Sequence, residues 1–492
     1  MNFRVIFQIF GRVSVLVGVL MCLPMILSAC LGESCWWAFA IAIAIAVAVG
    51  VPVVVLCKPK SKAFFSKEGL VLVSLSWIWV SLVGALPFVI SGAIPSYIDA
   101  FFETVSGFTT TGATILQGSY IEQMAKGLLF WRSFTHWIGG MGVIVFVMMI
   151  ASNLENHSIH VLRAEMPGPT VDKLVPRART TAKILYLLYI GLTLLEITLL
   201  IFGGMPIFDS VVHSFGTAGT GGFGIKADSI AGYNAFCQWV IAIFMLLFGV
   251  NFNLYYLMIL CKFRQAFSSR ELWIYAGVIV FSATVVTFNV ISQLPYTKTT
   301  ADAVRFAVFH VASFLTTTGY TAIPTSSSIN AWPLLSKSLL FCLMFIGGCA
   351  GSTAGGLKVS RVAILGCSVR KELRKILHPR NANSVKFEGK VLSKEVLQSA
   401  TNYFGIYMLV LITTFLILSF DGCPDLTIEA NITAAASCLN NIGPAYGTVA
   451  SGYYMYSPLS KIVLSVAMLL GRLEIYPLLL TLSPKTWIRR RL

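Results

Sequence analysis

The segment Ser106-Gly107-Phe108-Thr109-Thr110-Thr111-Gly112-Ala113 is too short and too polar to cross a bilayer, yet it lies between two apolar runs, near 69–91 and 128–151, that are long enough to do so. Alone it says little, because Thr-Thr-Gly is a common turn. The same shape returns three times: Phe215-Gly216-Thr217-Ala218-Gly219-Thr220-Gly221-Gly222, Ser313-Phe314-Leu315-Thr316-Thr317-Thr318-Gly319-Tyr320 and Ser437-Cys438-Leu439-Asn440-Asn441-Ile442-Gly443-Pro444. Each copy follows a moderately apolar stretch one short helix long and sits between a pair of apolar runs, and the glycines align as Gly112, Gly221, Gly319 and Gly443.

A polar segment between two spans whose near ends share one face of the membrane can enter it only as a re-entrant loop. Non-helical backbone at that depth is tolerated only where it lines water or is buried in protein. Four such loops around one axis would present rings of main-chain carbonyls that replace the hydration shell of a small cation, and glycine permits the backbone angles this needs. The candidate ligands are Thr110, Thr111 and Gly112; Gly219, Thr220 and Gly221; Thr317, Thr318 and Gly319; and Asn441, Ile442 and Gly443. The short helices would point their negative C-terminal ends at the ion, with Asp99, Asp209 and Asp302 near their positive starts.

Composition agrees with this reading. The 492 residues are 57% hydrophobic and only 11% charged, against about 25% in soluble domains, and the mean hydropathy is +0.80. An all-α membrane protein follows, with spans expected near 8–30, 36–57, 69–91, 128–151, 181–204, 234–261, 272–294, 334–367, 401–420 and 458–482. Two leading spans fill 1–68, and four units occupy 69–160, 161–270, 271–395 and 396–492. Basic clusters alternate between the spans: Lys58, Lys60, Lys62 and Lys67; Arg163, Lys173, Arg177 and Arg179; Lys262, Arg264 and Arg270; Arg370, Lys371, Arg374, Lys375 and Arg380; Arg489, Arg490 and Arg491. They put both termini in the cytoplasm. The other side carries Asp99, Glu103, Asp209, Asp228, Asp302, Asp421, Asp425 and Glu429, which either concentrate cations or merely solvate loops.

Other chemistries find little support. The net charge of +16 is scattered, so no face for nucleic acid forms. Eleven cysteines, among them Cys22, Cys57, Cys261, Cys342 and Cys367, lack a CxxC pair and read as small packing residues. No HExxH, triad or P-loop appears, and His213 and His310 read as packing residues. Val13 to Ala29 after Arg4 and Arg12, ending Leu27-Ser28-Ala29-Cys30, resembles a lipidated signal, but the apolar run that follows makes a helical hairpin the simpler account.

Span eight is interrupted by Gly347-Gly348-Cys349-Ala350-Gly351-Ser352-Thr353-Ala354-Gly355-Gly356. The four-residue spacing of Gly347, Gly351 and Gly355 would suit a close-packed helix; the alternative is an intramembrane loop beneath the carbonyl rings, with Gly347, Gly348, Gly351, Gly355 and Gly356 as a gate. Arg472 lies inside span ten, where a charge marks function unless Glu474 or Glu196 neutralises it. A proton- or sodium-coupled transporter is the second reading, disfavoured because only span eight looks broken. A membrane enzyme would need more than Glu196, Arg472 and Glu474.

Together with Trp131-Arg132-Ser133, Trp137-Ile138-Gly139-Gly140-Met141-Gly142, Asn440-Asn441-Ile442-Gly443-Pro444 and Gly471-Arg472-Leu473-Glu474, the loops make the whole chain resemble the TrkH and KtrB superfamily of potassium uptake proteins. The two leading spans bring it nearer TrkH. The resemblance implies four M1-P-M2 repeats in a pseudo-fourfold arrangement around one pore, potassium as the transported ion and no organic cofactor. It further implies a bacterial inner membrane, a homodimer in the lipid bilayer with one pore per subunit, and cytosolic TrkA-like RCK subunits that bind the regulatory nucleotide. In the family the loop of span eight is the gate, and the arginine matching Arg472 faces the pore, where a fixed positive charge raises the barrier to a cation. A glycine such as Gly112 in the first loop is associated there with potassium preference. The chain departs from the family pattern at Gly216 and Gly219 and at Ala445 after Pro444.

Overall fold

Two apolar runs joined by a short turn bury themselves most easily against each other. In the computed structural model, which describes residues 3–57, 66–142, 178–291, 293–294, 297, 299–324, 328–378 and 386–487, Phe3–Cys30 and Trp36–Leu56 form such an antiparallel pair. Small residues let the backbones touch: a Cβ on Gly11 would stand 2.8 Å from the Gly50 carbonyl, and Ser14 Oγ donates to the Ala46 carbonyl at 2.8 Å. The expected hairpin is therefore present. Lys58, Lys60, Lys62, Arg163, Lys173, Arg177, Arg380, Arg489, Arg490, Arg491 and the end of the expected 128–151 span lie outside the described residues.

After the hairpin the chain runs four times through a long helix, a short helix, a loop and a second helix. The long helices are Ser66–Gly84 with Leu86–Ile90, Ala178–Phe202, Arg270–Val290 and Lys394–Leu418; the short ones are Tyr97–Phe108, Ile207–Gly219, Thr300–Leu315 and Ile428–Asn440. The short helices start where the sequence provides caps. Ser96, Thr299 and Thr427 accept from the backbone N–H three residues on, and the second helix starts after Pro206. Each has an acid in its first turn, Asp99, Asp209, Asp302 or Glu429, against the positive end of the helix.

The second helices correct two expectations. Ala235–Phe248 turns by 91° into Phe252–Ile259, Leu334–Ile346 stops and resumes as Val359–Leu377, and Pro458–Arg472 breaks at Leu473–Ile475 before Tyr476–Leu482. Lys126–Gly140 likewise ends at Met141 and Gly142. Breaks thus recur at matching places and are not confined to span eight. At 13 to 15 residues before the break, each covers about 20–22 Å, short of a core about 30 Å thick. Among the described residues six helices are long and apolar enough to cross, seven with the bent pair, where ten spans were expected. Hydropathy registers composition and is blind to a helix that turns inside an apolar run.

The protein is thus an all-α polytopic membrane protein, whose described strands are the two-residue pair Lys386–Phe387 and Lys390–Val391. Its outer face is apolar, with Leu187, Phe202, Ile259, Phe281, Phe288 and Phe420 exposed, while threonine, serine and histidine are buried inside. Cys261 and Cys342 belong to the exposed face and Cys22, Cys57 and Cys367 are half-buried, so the packing role expected of these five passes to Cys35, Cys237, Cys349 and Cys438. An apolar run does not reveal which of its faces meets lipid.

Candidate functional site

Each short helix ends in a residue forced into the left-handed region, Thr110, Thr220, Thr317 or Asn441, with φ of 53–57°. One residue later an N–H reaches back five positions: Thr111 to Ser106 O (2.9 Å), Gly221 to Gly216 O (2.8 Å), Thr318 to Ser313 O (2.9 Å) and Ile442 to Ser437 O (3.0 Å). Then comes a glycine at positive φ: Gly112 (77°), Gly222 (72°), Gly319 (83°) and Gly443 (102°). This register corrects the second loop by one residue. Gly222, not Gly221, matches the other glycines; the triplet is Thr220, Gly221 and Gly222, and Gly219 closes the helix. Two adjacent glycines left the sequence with no means of choosing between them.

The loops close into a cycle. A Cβ on Gly112 would overlap the carbonyl of Gly221, one on Gly222 that of Thr318 and one on Gly319 that of Ile442; one on Gly443 would stand 2.6 Å from the carbonyl of Thr111. The Asn441 amide ties the fourth loop to the first, donating to Thr111 Oγ1 and to Met468 O, both at 2.9 Å. Of the twelve carbonyls in the four triplets, only that of Gly443 accepts a hydrogen bond among the described residues, from Tyr453 Oη at 2.7 Å. Thr110, Thr111, Thr220, Gly221, Thr317, Thr318, Asn441 and Ile442 are all buried. Buried carbonyls are almost always paired, so the eight left over on these buried residues make, in one cycle, a site wanting a positive charge.

On one side of this cycle Gly112, Gly222, Gly319 and Gly443 floor an open funnel of about 790 Å³. Its charge differs from expectation. Asp99 pairs with Lys461 (2.6 Å), Asp302 with Arg305 (2.8 Å) and Glu429 with Lys337 (3.8 Å), while Asp209 accepts from Tyr233 Oη at 2.8 Å. Although burial works against ionisation at Asp421, hydrogen bonds from Ser460 and Ser457 hold its carboxyl below the usual range. Of the eight acids expected outside, only Asp228 lines the funnel. Glu103 is internal: it pairs with Arg132 at 2.6 Å, both at most 2% exposed, and Arg132 reaches Gly224 O at 2.8 Å and covers the Phe223 ring. Charge counting along the chain cannot see such pairs.

On the other side lies residues 347–358, which form no helix. Gly347 and Gly351 have φ of 77° and 74°, so the four-residue spacing of Gly347, Gly351 and Gly355 makes no helix face and the packing alternative falls away. Gly355 N donates to Thr317 Oγ1 at 2.6 Å, and a Cβ there would overlap the Asn440 carbonyl, so the segment rests on the third and fourth loops. Arg472 donates to Thr353 O (2.9 Å), Gly139 O (2.6 Å) and Gly140 O (2.9 Å), while Glu474 pairs with Arg361 at 2.7 Å and Glu196 Oε1 and Oε2 find no hydrogen-bond partner among the described residues. Gly140, Gly355, Lys358 and Arg472 line a cavity of about 70 Å³ here. Gly348 carries a carbonyl that accepts from Val359 N at 3.0 Å.

Sequence reading passes over Glu271 and His136 and gives Lys358 and Arg361, which follow the glycine-rich segment, no role of their own. Glu271 Oε1 accepts from Ala350 N (2.7 Å) and Ser360 N (3.1 Å), Lys358 Nζ bonds the Ala354 carbonyl, and His136 Nδ1 donates to Gly107 O at 2.7 Å. The signal for Glu271 was slight, an acid beside the basic run ending at Arg270. His213 and His310 are packing residues: His213 lies between Tyr320 and Tyr233, and His310 Nδ1 donates to Phe306 O at 2.8 Å. No group of three or more His, Cys, Asp or Glu side chains able to hold a metal ion occurs among the described residues.

The chain matches the TrkH family, described as cation transport proteins, over residues 37–272 and 266–488. It is 36% identical to the Trk system potassium uptake protein TrkH of Salmonella typhimurium strain LT2, covering 99% of this chain and 100% of that protein. It is 31% identical to the potassium uptake protein TrkG of Escherichia coli K12, covering 98% of both. The crystal structure of the potassium transporter TrkH from Vibrio parahaemolyticus superposes with a TM-score of 0.88 at 30% identity, covering 99% of this chain and 100% of that one. Helices that break in step, a cycle of unpartnered carbonyls and a match along nearly the whole length lead to one conclusion: the chain belongs to the TrkH family of cation transport proteins, and is a transporter and not an enzyme.

Proposed function

We propose that this protein takes potassium into a bacterial cell through a selectivity filter made by Thr110–Gly112, Thr220–Gly222, Thr317–Gly319 and Asn441–Gly443. The observation that carries the reading is the closed cycle with eleven unpartnered carbonyls, eight of them on buried residues. A dehydrating cation is the partner they lack. The funnel faces outward and the basic loops, with both termini, face the cytoplasm. This is supported by Glu388 Oε1, which accepts from Ser269 Oγ (3.0 Å) and Glu271 N (2.9 Å) and so gathers the 262–270 and 386–391 corners at one end. The repeats are 69–160, 161–270, 271–395 and 396–492, in pseudo-fourfold order after the leading hairpin of 1–68.

Residues 347–358, held by Arg472, are the gate of this pore. The working unit is a homodimer, and cytosolic TrkA-like RCK subunits, which carry the nucleotide site, move the gate. One observation favours a second reading, a proton- or sodium-coupled symporter: the helices break at corresponding places, as in many coupled carriers. The test is uptake of potassium, rubidium and sodium into liposomes holding the purified chain, with Gly112→Ser beside it. Downhill uptake that prefers potassium and weakens in Gly112→Ser supports the pore, whereas uptake that requires a proton gradient supports the symporter.

A further inference from the structure

The second loop lacks side chains where its neighbours use them. In the first and third loops the residue before the triplet and the second residue of the triplet form a hydroxyl pair, Thr109 with Thr111 and Thr316 with Thr318, each at 2.8 Å. The same two positions in the second loop are Gly219 and Gly221. Neither has a positive φ, so backbone conformation does not demand glycine at either. Space does. A Cβ on Gly221 would fall on the imidazole of His136, and one on Gly219 would meet the His136 carbonyl and, at 3.1 Å, its Cβ.

His136 is held rigidly in that space. It projects from Lys126–Gly140, is 0% exposed, donates from Nδ1 to the Gly107 carbonyl at 2.7 Å and lies 4.1 Å from the Phe223 ring. We infer that His136 is a specificity-determining positioning residue, whose imidazole stands in for the side chain missing at Gly221 and fixes how far the Gly221 carbonyl projects into the ring of carbonyls. This deepens the pore reading above and rests on it. The ion would touch the Gly221 carbonyl and never the imidazole. Its hold on Gly107, at the end of the first short helix, makes one residue set the spacing of two adjacent loops.

The experiment is a size exchange in the full-length chain, reconstituted in liposomes and read as the ratio of rubidium to sodium uptake. His136→Ala empties the space and lowers that ratio by roughly tenfold, the scale of a lost side chain in a discriminating pocket. Gly221→Thr alone forces two groups into one place and abolishes selective uptake. Together, His136→Ala and Gly221→Thr rebuild a wall like that of the first loop and recover most of the ratio. Gel filtration and thermal unfolding accompany each variant. An unchanged ratio in His136→Ala overturns the inference, as does a double variant no more selective than His136→Ala alone, or a lowered melting temperature with the ratio intact. Should the unaltered chain itself not discriminate, the pore reading fails; should it discriminate while His136→Ala does so equally well, only the role of His136 fails.

Discussion

Replacing Arg472 by Gln separates the proposed gate from its latch. The guanidinium makes one hydrogen bond to the segment beneath the loops, at Thr353 O, and two to the end of Lys126–Gly140, at Gly139 O and Gly140 O. A hydrogen bond from a charged donor contributes about 1.5–3 kcal/mol net. Losing the Thr353 bond would then shift the balance between held and released segment by roughly 10- to 150-fold, since about 1.4 kcal/mol is tenfold. The charge adds a second barrier: at an effective dielectric of about 20 and a separation on the order of 10 Å, it raises a passing cation by about 2 kcal/mol. Arg472→Gln removes both effects, and rubidium uptake by the chain alone rises by at least the lower end of that range. Arg472→Lys keeps the charge but not the planar fork, so it rises less. Uptake that is unchanged or lower in monodisperse, normally melting Arg472→Gln protein would refute the reasoning.

Gly355→Ala pushes a methyl group into the Asn440 carbonyl and dislodges the segment, so rubidium uptake by the chain alone increases; Gly366→Ala, with nothing within 4 Å of its new methyl, is the matched control and stays at the starting rate. Glu103→Gln strips the counter-charge from Arg132, which is 2% exposed, and lowers stability by about 3–5 kcal/mol; thermal unfolding in detergent reads this, and an unshifted transition contradicts it. A cysteine at Thr321, on the funnel wall, reacts with a membrane-impermeant thiol reagent added outside intact cells. Reaction only from the cytoplasmic side would invert the proposed orientation.

The four loops were legible because each combines a short helix, a left-handed residue and a glycine, a combination that few other structures need. Thr110, Gly112, Thr317, Gly319, Asn441 and Gly443 could therefore be placed from sequence alone. The second loop could not, because Gly221 and Gly222 are adjacent glycines and nothing along the chain says which of them takes the positive φ. The breaks at 249–251 and 473–475 escaped for a different reason. Gly249, Val250 and Asn251, like Leu473, Glu474 and Ile475, scarcely lower the hydropathy of a window. What turns the chain there is the cap of Asn251 on Asn253 N and the positive φ of Glu474 and Ile475, which tertiary contacts impose. Acid counting failed at Glu103, because a chain position between spans does not say whether a carboxylate faces water or Arg132.

A ring built from one polypeptide can do what four identical chains cannot. The break in the third of the second helices is twelve residues long, 347–358, against three at 249–251 and three at 473–475. Four segments of the longer kind could not share the space under the loops, where the cavity left beside one is about 70 Å³. With one segment the contacts are necessarily off-axis, to Thr317 and Asn440 of the third and fourth loops and to Arg472. Release then acts first on the third and fourth loops and reaches the first through Asn441 and Thr111 Oγ1, while the second loop abuts His136. On the proposed reading, non-identity among the four copies puts selection and closure on different sides of one ring.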